Sequence, residues 1–395
     1  MKQKIQELAD TIHQQVVGYR QHLHANPELS FKEFQTSQFI KDKLNTWGIE
    51  FKEMANTGVV GLIKGHIPSE NIIALRADMD ALPIHEANDK SYRSNNQGVM
   101  HACGHDVHSS SLLGTAYILS QLKEEFGGTI KLVFQPAEEV LPGGASIMIK
   151  EGVLENPKPQ AMVGQHVMPL IETGKVGFRS GIYMASTDEL YVTVYGKGGH
   201  GAQPHQNIDP VLITSHIIVA LQQIVSRNAD PRLPSVLSFG KVIANGATNI
   251  IPNEVKLEGT FRTLNEDWRN EAHRLMKKMA EGIAESMGGS CEFNIVRGYP
   301  FLINEEKLTA NVRTYAEDYL GKANVIDLDI WMAAEDFAYY SQVTDSCFYR
   351  LGTGNAAKGT TYSVHTPNFD IDEEALKTST GLMAYIALKQ LGNGG

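Results

Sequence analysis

Apolar residues recur every three or four positions from Ile5 through Leu8, Ile12, Val16 and Tyr19 to Leu23, which predicts a helix with one buried face. Asn26-Pro27 ends it. Ser30 followed by Glu33 reads as a capping box, and Phe34, Phe39, Ile40 and Leu44 supply a second amphipathic helix. Short, apolar, β-branched runs bounded by Gly or Pro follow at 58–64, 71–76, 129–135 and 161–166. Continuous apolar runs of this length read as buried strands. The helical period between them, clearest at 107–123, predicts an α/β layer on a mixed, largely parallel sheet flanked by helices.

From about residue 188 the pattern changes. A strand-like run at 190–195 precedes a long apolar helix at 209–225, strands at 235–243 and 254–262, a helix at 265–287 and a strand at 291–296. That βαββαβ order is the ferredoxin-like unit. After Pro300 the α/β order resumes, with a helix at 305–319, a strand at 346–351 and a last helix at 372–391, leaving 392–395 as a flexible tail. We therefore expect a split α/β domain, residues 1–186 and 300–395, interrupted by an inserted βαββαβ domain at 187–299.

Composition agrees with a globular chain: of 395 residues, 42% are hydrophobic and 20% charged, enough for two or three cores. The 45 acidic residues outnumber the 35 basic ones, for a net charge of −10, and no basic run stands out. A surface that neutralises phosphates needs a cationic stripe, so nucleic acid is not an expected partner. The start, MKQKIQELADTIHQQVV, is broken by charge, unlike a signal peptide or a membrane span. No membrane association is expected, and the expected location is the cytoplasm. Three Cys, at 103, 291 and 347, are too few for a disulfide framework, as in a reducing compartment.

The densest group of possible metal ligands is His101-Ala-Cys103-Gly-His105-Asp-Val-His108. Thiolate and neutral imidazole suit zinc and its neighbours, and Gly104 lets the backbone turn two ligands onto one ion. A single His or Cys is usually a packed core residue. This density reverses that reading, although His101 and His108 keep it, as packing groups or supports for the ligands. Glu138 and Glu139 follow the strand ending at Gln135, at the edge where open α/β sheets place their sites. On an exposed helix two such acids would be a solvated face. Here Pro142 and Gly143-Gly144 argue for a shaped loop, which can aim one carboxylate at a metal and its neighbour at an attacking water. His166 ends the next strand, and Asp78 and Asp80 end an earlier one, so three strand ends converge. His365, in a turn-rich stretch, would alone be a surface residue; beside the others it can complete a two-metal site.

GKGGHG at 196–201 matches the dinucleotide fingerprint G-x-G-x-x-G after a strand. Pro204 interrupts the helix that should begin there, and no acid lies between Asp209 and Asp230 to meet a ribose. The oxidoreductase reading therefore fails. The glycines are expected instead to let the backbone approach a partner closely and to present His200. H-E-x-x-H, G-x-S-x-G and the phosphate-binding P-loop are absent from the sequence.

Taken together, MHACGHDVH, QPAEE, GQHV, GKGGHGAQPH, TNIIPNEV, GTFR and SVHTPNF resemble the aminoacylase and hippurate-hydrolase family of dinuclear metallohydrolases. The resemblance is closest to its N-acyl-amino-acid amidohydrolase branch, which includes the auxin-conjugate hydrolases, and runs from about residue 76 to 369. It implies a dinuclear zinc-peptidase-like catalytic domain, with the inserted domain as lid and dimerisation element of a homodimer. It also implies two divalent metal ions per subunit, zinc or else manganese, cobalt or nickel. The implied metal ligands are Cys103, His105, Glu139, His166 and His365, with Glu138 as general base. His200 would contact the scissile carbonyl, in its own or a partner subunit's active site. Asn249 and Arg262 would bind the substrate's polar groups, above all its carboxylate. Peptidase members of the wider family carry a metal-ligating His where this chain has Asp78. Asp78 and Asp80 are therefore expected to support the ligands and not to bind metal.

The implied reaction is hydrolysis of the amide that joins an acyl group to an amino acid, a small-molecule substrate. Metal lowers the pKa of bound water from about 16 toward about 7. Glu138 takes the proton and later returns it to the leaving amine, work typically worth roughly 10²- to 10⁴-fold. Two alternatives stand beside this reading. One is a dipeptidase or carboxypeptidase of the same fold. The other is a non-catalytic binding relative, which could lose ligands without penalty, whereas this chain keeps every one of these positions.

Overall fold

The computed structural model describes residues 1–392. Of the tail expected at 392–395, residues 393–395 lie outside the described residues, and Gly392 ends the last helix, Glu374–Gly392. The first helix, Lys2–Ala25, buries Ile5, Ile12, Val16 and Leu23 on the predicted face. The second, Phe34–Thr46, forms without the expected capping box. The Ser30 hydroxyl donates instead to Asp80 at 2.6 Å. The Glu33 carboxylate turns inward and accepts from the amides of Phe31 and Ala137 and from the Thr57 hydroxyl. Glu28 serves the helix end, accepting from the amides of Gln35 and Thr36. A buried amide without an acceptor costs more than an exposed helix end, which water can also serve, so Glu33 is drawn to Ala137.

The chain divides into two compact units. Among the described residues the first comprises Met1–Tyr183, Ile303–Ile330 and residues 336–392. Its mixed eight-stranded sheet runs in the order Glu50–Met54, Gly58–Lys64, Gly127–Gln135, Ile67–Asp78, Ala161–Glu172, Ser346–Gly354, Val176–Phe178, Val325–Asp327. The centre is parallel: Ile67–Asp78 pairs with Gly127–Gln135 and Ala161–Glu172, and Ser346–Gly354 pairs with Ala161–Glu172. The strands at the N-terminal edge are antiparallel. Three of the predicted apolar runs are central strands, and the fourth, Gly58–Lys64, is antiparallel to both its neighbours. Glu50–Met54 was not predicted because it is a mostly polar edge strand, and Val176–Phe178 and Val325–Asp327 are too short to show a period. Helices Lys2–Ala25, His105–Gln121 and Glu374–Gly392 pack on one another and bury Ile5, Leu113 and Leu382 in one core with Ile130 of the sheet.

The second unit comprises Met184–Leu302 and Trp331–Glu335. Its antiparallel sheet runs Ser235–Ile243, Glu254–Thr263, Asp188–Tyr195, Ser290–Arg297, the ferredoxin-like order. Helices Pro210–Gln223 and Glu266–Ser286 are capped by Asp209 and Asn265, and cover a core of Val192, Ile217, Leu221, Phe261 and Met276. The first of these helices is shorter than predicted, because Ile224–Asn228 winds into a π turn. Asp188 is fully buried and accepts from Arg269 at 2.6 and 2.9 Å and from His273 at 2.6 Å. Cys103, Cys291 and Cys347 are all free thiols. Among the described residues no helix is long and apolar enough to cross a membrane.

Candidate metal centre and active site

Asp78 pairs with Gln135 where two parallel strands end, so the segments that carry Asp80 and Glu138-Glu139 leave the sheet side by side. His166 departs from the expectation. It lies inside Ala161–Glu172, not at its end. The neighbouring strand pairs only as far as Gly164, so the ring sits just beyond that ladder, with its own residue paired to Arg350 on the other side. Gly104 has φ +81°, a left-handed turn that glycine adopts freely, and it caps His105–Gln121. The turn puts Cys103 in the preceding loop and His105 at the first position of the helix.

The donor atoms converge. Cys103 Sγ lies 3.4 Å from His166 Nε2 and 3.3 Å from His365 Nε2, which is 3.3 Å from Glu139 Oε1. His105 Nε2 lies 3.9 Å from Glu139 Oε1 and 4.0 Å from Glu138 Oε2. Cys103, His105 and His166 form one group with donor atoms within 4.8 Å of one another; Cys103, Glu139 and His365 form another, and His105, Glu138 and Glu139 a third. The five expected ligands and the expected base thus occupy one cluster.

Their neighbours aim them. His166 Nδ1 donates to the Val167 carbonyl at 2.8 Å, which leaves Nε2 as the basic nitrogen. His105 Nδ1 donates to Asp80 Oδ1 at 3.1 Å with the same effect. Asp80 also accepts the amides of Glu138 and Glu139, each at 3.0 Å, so one buried carboxylate orients a histidine and the double-glutamate loop together. Asp78 accepts from His108 Nδ1 at 2.5 Å and from Arg76 Nη1 at 2.6 Å, and His108 Nε2 in turn accepts the Val167 amide at 2.9 Å. His101 is buried, and neither of its ring nitrogens has a hydrogen-bond partner; burial pushes it down to about 4, so it is a neutral packing group.

Charge in the cluster is strongly unbalanced. Burial, then the charges of Glu139, Glu138 and Asp78, push the Cys103 thiol well up. Burial and the nearby Arg350 hold His166 well down. For His105 burial opposes the charged form, but Asp78, Asp80 and Glu139 outweigh it and push the ring up to about 10. Two donor atoms, His105 Nε2 and Glu139 Oε1, are buried without a hydrogen-bond partner. Buried polar atoms are rarely left so unless an ion or water serves them. A thiol, imidazoles and carboxylates fit zinc-type divalent ions.

The remaining expected residues lie in the second unit. His200 is exposed on the short strand Gly199–His200, paired with Ile250–Ile251, and the Gly201 amide donates to the Asn249 carbonyl at 2.8 Å. His200 and Asn249 are therefore neighbours. The glycines permit a close approach within the chain: a Cβ on Gly198 would lie 2.4 Å from the Ile251 carbonyl oxygen. The reason is local, since the 196–201 segment folds back on 249–252. His200 Nδ1 accepts the Ala202 amide at 3.1 Å, which leaves Nε2 to carry the proton. Arg262 is half-buried on Glu254–Thr263, which lowers its pKa, and donates to the Met332 carbonyl at 3.4 Å. Among the described residues no hydrogen bond joins it to His200 or Asn249.

Sequence reasoning missed Arg76, Gln135, Glu33 and Asp336, all buried around this cluster. A charged residue inside an apolar strand, such as Arg76, and a second acidic pair, Glu335-Asp336, were the available signals.

Comparison with known proteins agrees with the chemistry of the cluster. The chain is 43% identical over 307 residues to an N-acyl-L-amino acid amidohydrolase from Geobacillus stearothermophilus, covering 78% of this chain and 82% of that protein. It is 37% identical over 393 residues to thermostable carboxypeptidase 2 from Saccharolobus solfataricus, covering 98% of each. A crystal structure from Bacillus subtilis, described as a dinuclear metal-binding peptidase of the M20 family, superposes with a TM-score of 0.83 at 33% identity, covering 97% of this chain and 99% of that one. Residues 74–389 match peptidase family M20/M25/M40, and the chain belongs to that family.

Proposed function

We propose that this protein is a metal-dependent amidohydrolase that cleaves the amide bond of N-acyl amino acids to a carboxylic acid and a free amino acid. The observation that carries the reading is the convergence of Cys103, His105, Glu139, His166 and His365 beside the Glu138 carboxylate. The amidohydrolase relative supports the substrate class. These five side chains would hold two divalent ions, zinc or else manganese, cobalt or nickel. Bound ions would supply an acidified water and a polarised carbonyl. Glu138, buried with Oε1 accepting the Asp336 amide at 3.3 Å, would hold the water's proton and pass it to the leaving nitrogen. His200 Nε2–H would donate to the carbonyl oxygen as negative charge develops there, in its own or a partner subunit's active site, a role worth roughly 3 to 4 kcal/mol.

Arg262 would receive the substrate carboxylate, with Asn249 as a further polar contact. Among the described residues no carboxylate pairs with Arg262, so its planar fork of donors is open to one. The second unit would serve as lid and dimerisation element of a cytoplasmic homodimer. Exposed Leu212 and Val219 on Pro210–Gln223 support an apolar contact there.

The test is turnover by chelator-stripped protein reloaded with zinc, manganese, cobalt or nickel, on N-acetyl, N-benzoyl and N-indoleacetyl amino acids beside dipeptides. Metal-dependent cleavage with N-acyl amino acids preferred is expected. Turnover that survives complete stripping, or none with any of these metals, would refute the reading. The carboxypeptidase relative favours a second reading, for which peptides would be the faster substrates.

A further inference from the structure

We infer that Asp336 is a positioning residue for Glu138, its carboxylate tying both ends of the loop that carries Glu138 and its amide holding the Glu138 side chain. The inference rests on the reading of Glu138 as general base. The loop leaves the sheet after Gln135 and re-enters regular structure at the helix Gly144–Lys150. Asp336 lies 201 residues from Gln135 in sequence, yet both its carboxylate oxygens accept from Gln135 Nε2 at 2.8 Å. Oδ2 also accepts the Ala145 amide at 3.0 Å, on the far side of the loop. One carboxylate therefore fastens entry and exit.

A fully buried carboxylate can do this only with strong donors around it. Arg76 supplies one, donating from Nη2 to Asp336 Oδ1 at 2.8 Å. The same guanidinium donates from Nη1 to Asp78, the carboxylate that holds His108. Arg76 thus joins the segment that carries Glu138 to the segment that supports the histidines. The Asp336 amide donates to Glu138 Oε1 at 3.3 Å, and Oε2 stands 4.0 Å from His105 Nε2, on the side of the metal cluster. Displacing a reacting group by about 1 Å costs on the order of 100-fold in rate. Loosening this strap should therefore slow the chemical step and leave substrate binding alone.

The test is a double-mutant cycle on the metal-loaded enzyme. Asp336→Asn keeps the volume and the backbone amide but removes the charge opposite Arg76 and places an N–H₂ against one of the former donors. We expect kcat to fall roughly 10- to 100-fold with KM within about three-fold of wild type and full metal content. In a Glu138→Gln background the same change should cost less than about three-fold in residual turnover, because the group it positions is already disabled. Equal losses in both backgrounds, or unchanged kcat in the wild-type background, would overturn the inference. Wild-type activity in Glu138→Gln alone would instead defeat the general-base reading. If Asp336→Asn does not fold, Gln135→Ala removes the entry tie only and is put through the same cycle with the same expected dependence on Glu138.

Discussion

Replacing Asp80 with Asn changes one oxygen into an N–H₂ with almost no change in volume, so the surrounding donors set the size of the effect. Oδ1 accepts from His105 Nδ1 at 3.1 Å and the Glu138 amide at 3.0 Å; Oδ2 accepts from the Glu139 amide at 3.0 Å and the Ser30 hydroxyl at 2.6 Å. With its oxygen toward His105, the Asn amide keeps the first pair, and Ser30 can rotate to accept from the new N–H₂. The Glu139 amide cannot adapt. It is left facing a donor, at a cost of about 1 to 3 kcal/mol. The retained bonds also lose their charge assistance, which roughly halves them. The combined loss is about 2 to 4 kcal/mol, with an unfolding temperature lower by roughly 3 to 7 °C for a unit of this size. Because Asp80 sets the tautomer of His105 and the backbone of Glu139, metal affinity should fall roughly 10- to 100-fold. Competition with a chromogenic chelator and calorimetry of the metal-loaded protein measure both. Metal affinity within about two-fold of wild type, with an unchanged unfolding temperature, would refute the reasoning.

Glu138→Gln keeps an oxygen for the Asp336 amide but cannot hold a proton; turnover should drop roughly 10²- to 10⁴-fold with bound metal retained, read by steady-state kinetics and metal analysis. Arg262→Ala should raise KM for substrates with a free carboxylate and leave the corresponding carboxylate-free amides little changed, a comparison that an equal effect on both would defeat. Asp188 titrates below its ordinary value of 3.8: burial opposes its charge, but hydrogen bonds from His273 and Arg269 outweigh that. The stability it contributes is present above about pH 4 and is lost as pH falls through its lower folded value. Asp188→Asn should therefore flatten the acid limb of a urea-denaturation series below about pH 4. At pH 7 the variant should be roughly 1 to 3 kcal/mol less stable, because Arg269 and His273 lose the charged acceptor they share while Glu266 still pairs with Arg269 at 3.1 Å.

Much of the cluster was legible because its chemistry is local. Cys103 and His105 flank one glycine, and Glu138 and Glu139 follow a strand end, so residue type and spacing alone placed them as candidates. His166 and His365 were legible only as companions of that group. His166 was expected at a strand end because its apolar run stops there, whereas the strand continues to Glu172 through pairing with Ser346–Gly354. The Ser30–Glu33 capping box failed for a related reason. Its two side chains suit a helix end, but buried acceptors and donors at Asp80 and Ala137 compete for them more strongly.

The order of the longer elements, the parallel centre of the sheet, the βαββαβ module and the residue types of the metal cluster were determined by the sequence itself. Each depends on periodicity or on neighbours within a few residues. Only the tertiary structure decided which carboxylates orient the ligands and which brace the base. Asp80 reaches His105 across 25 positions, and Asp336 reaches Gln135 across 201. A buried charge is tolerated only where donors surround it, and those donors come from separate strands and loops. No pattern along the chain encodes that meeting. It exists once the sheet has brought the ends of Ile67–Asp78 and Gly127–Gln135 together.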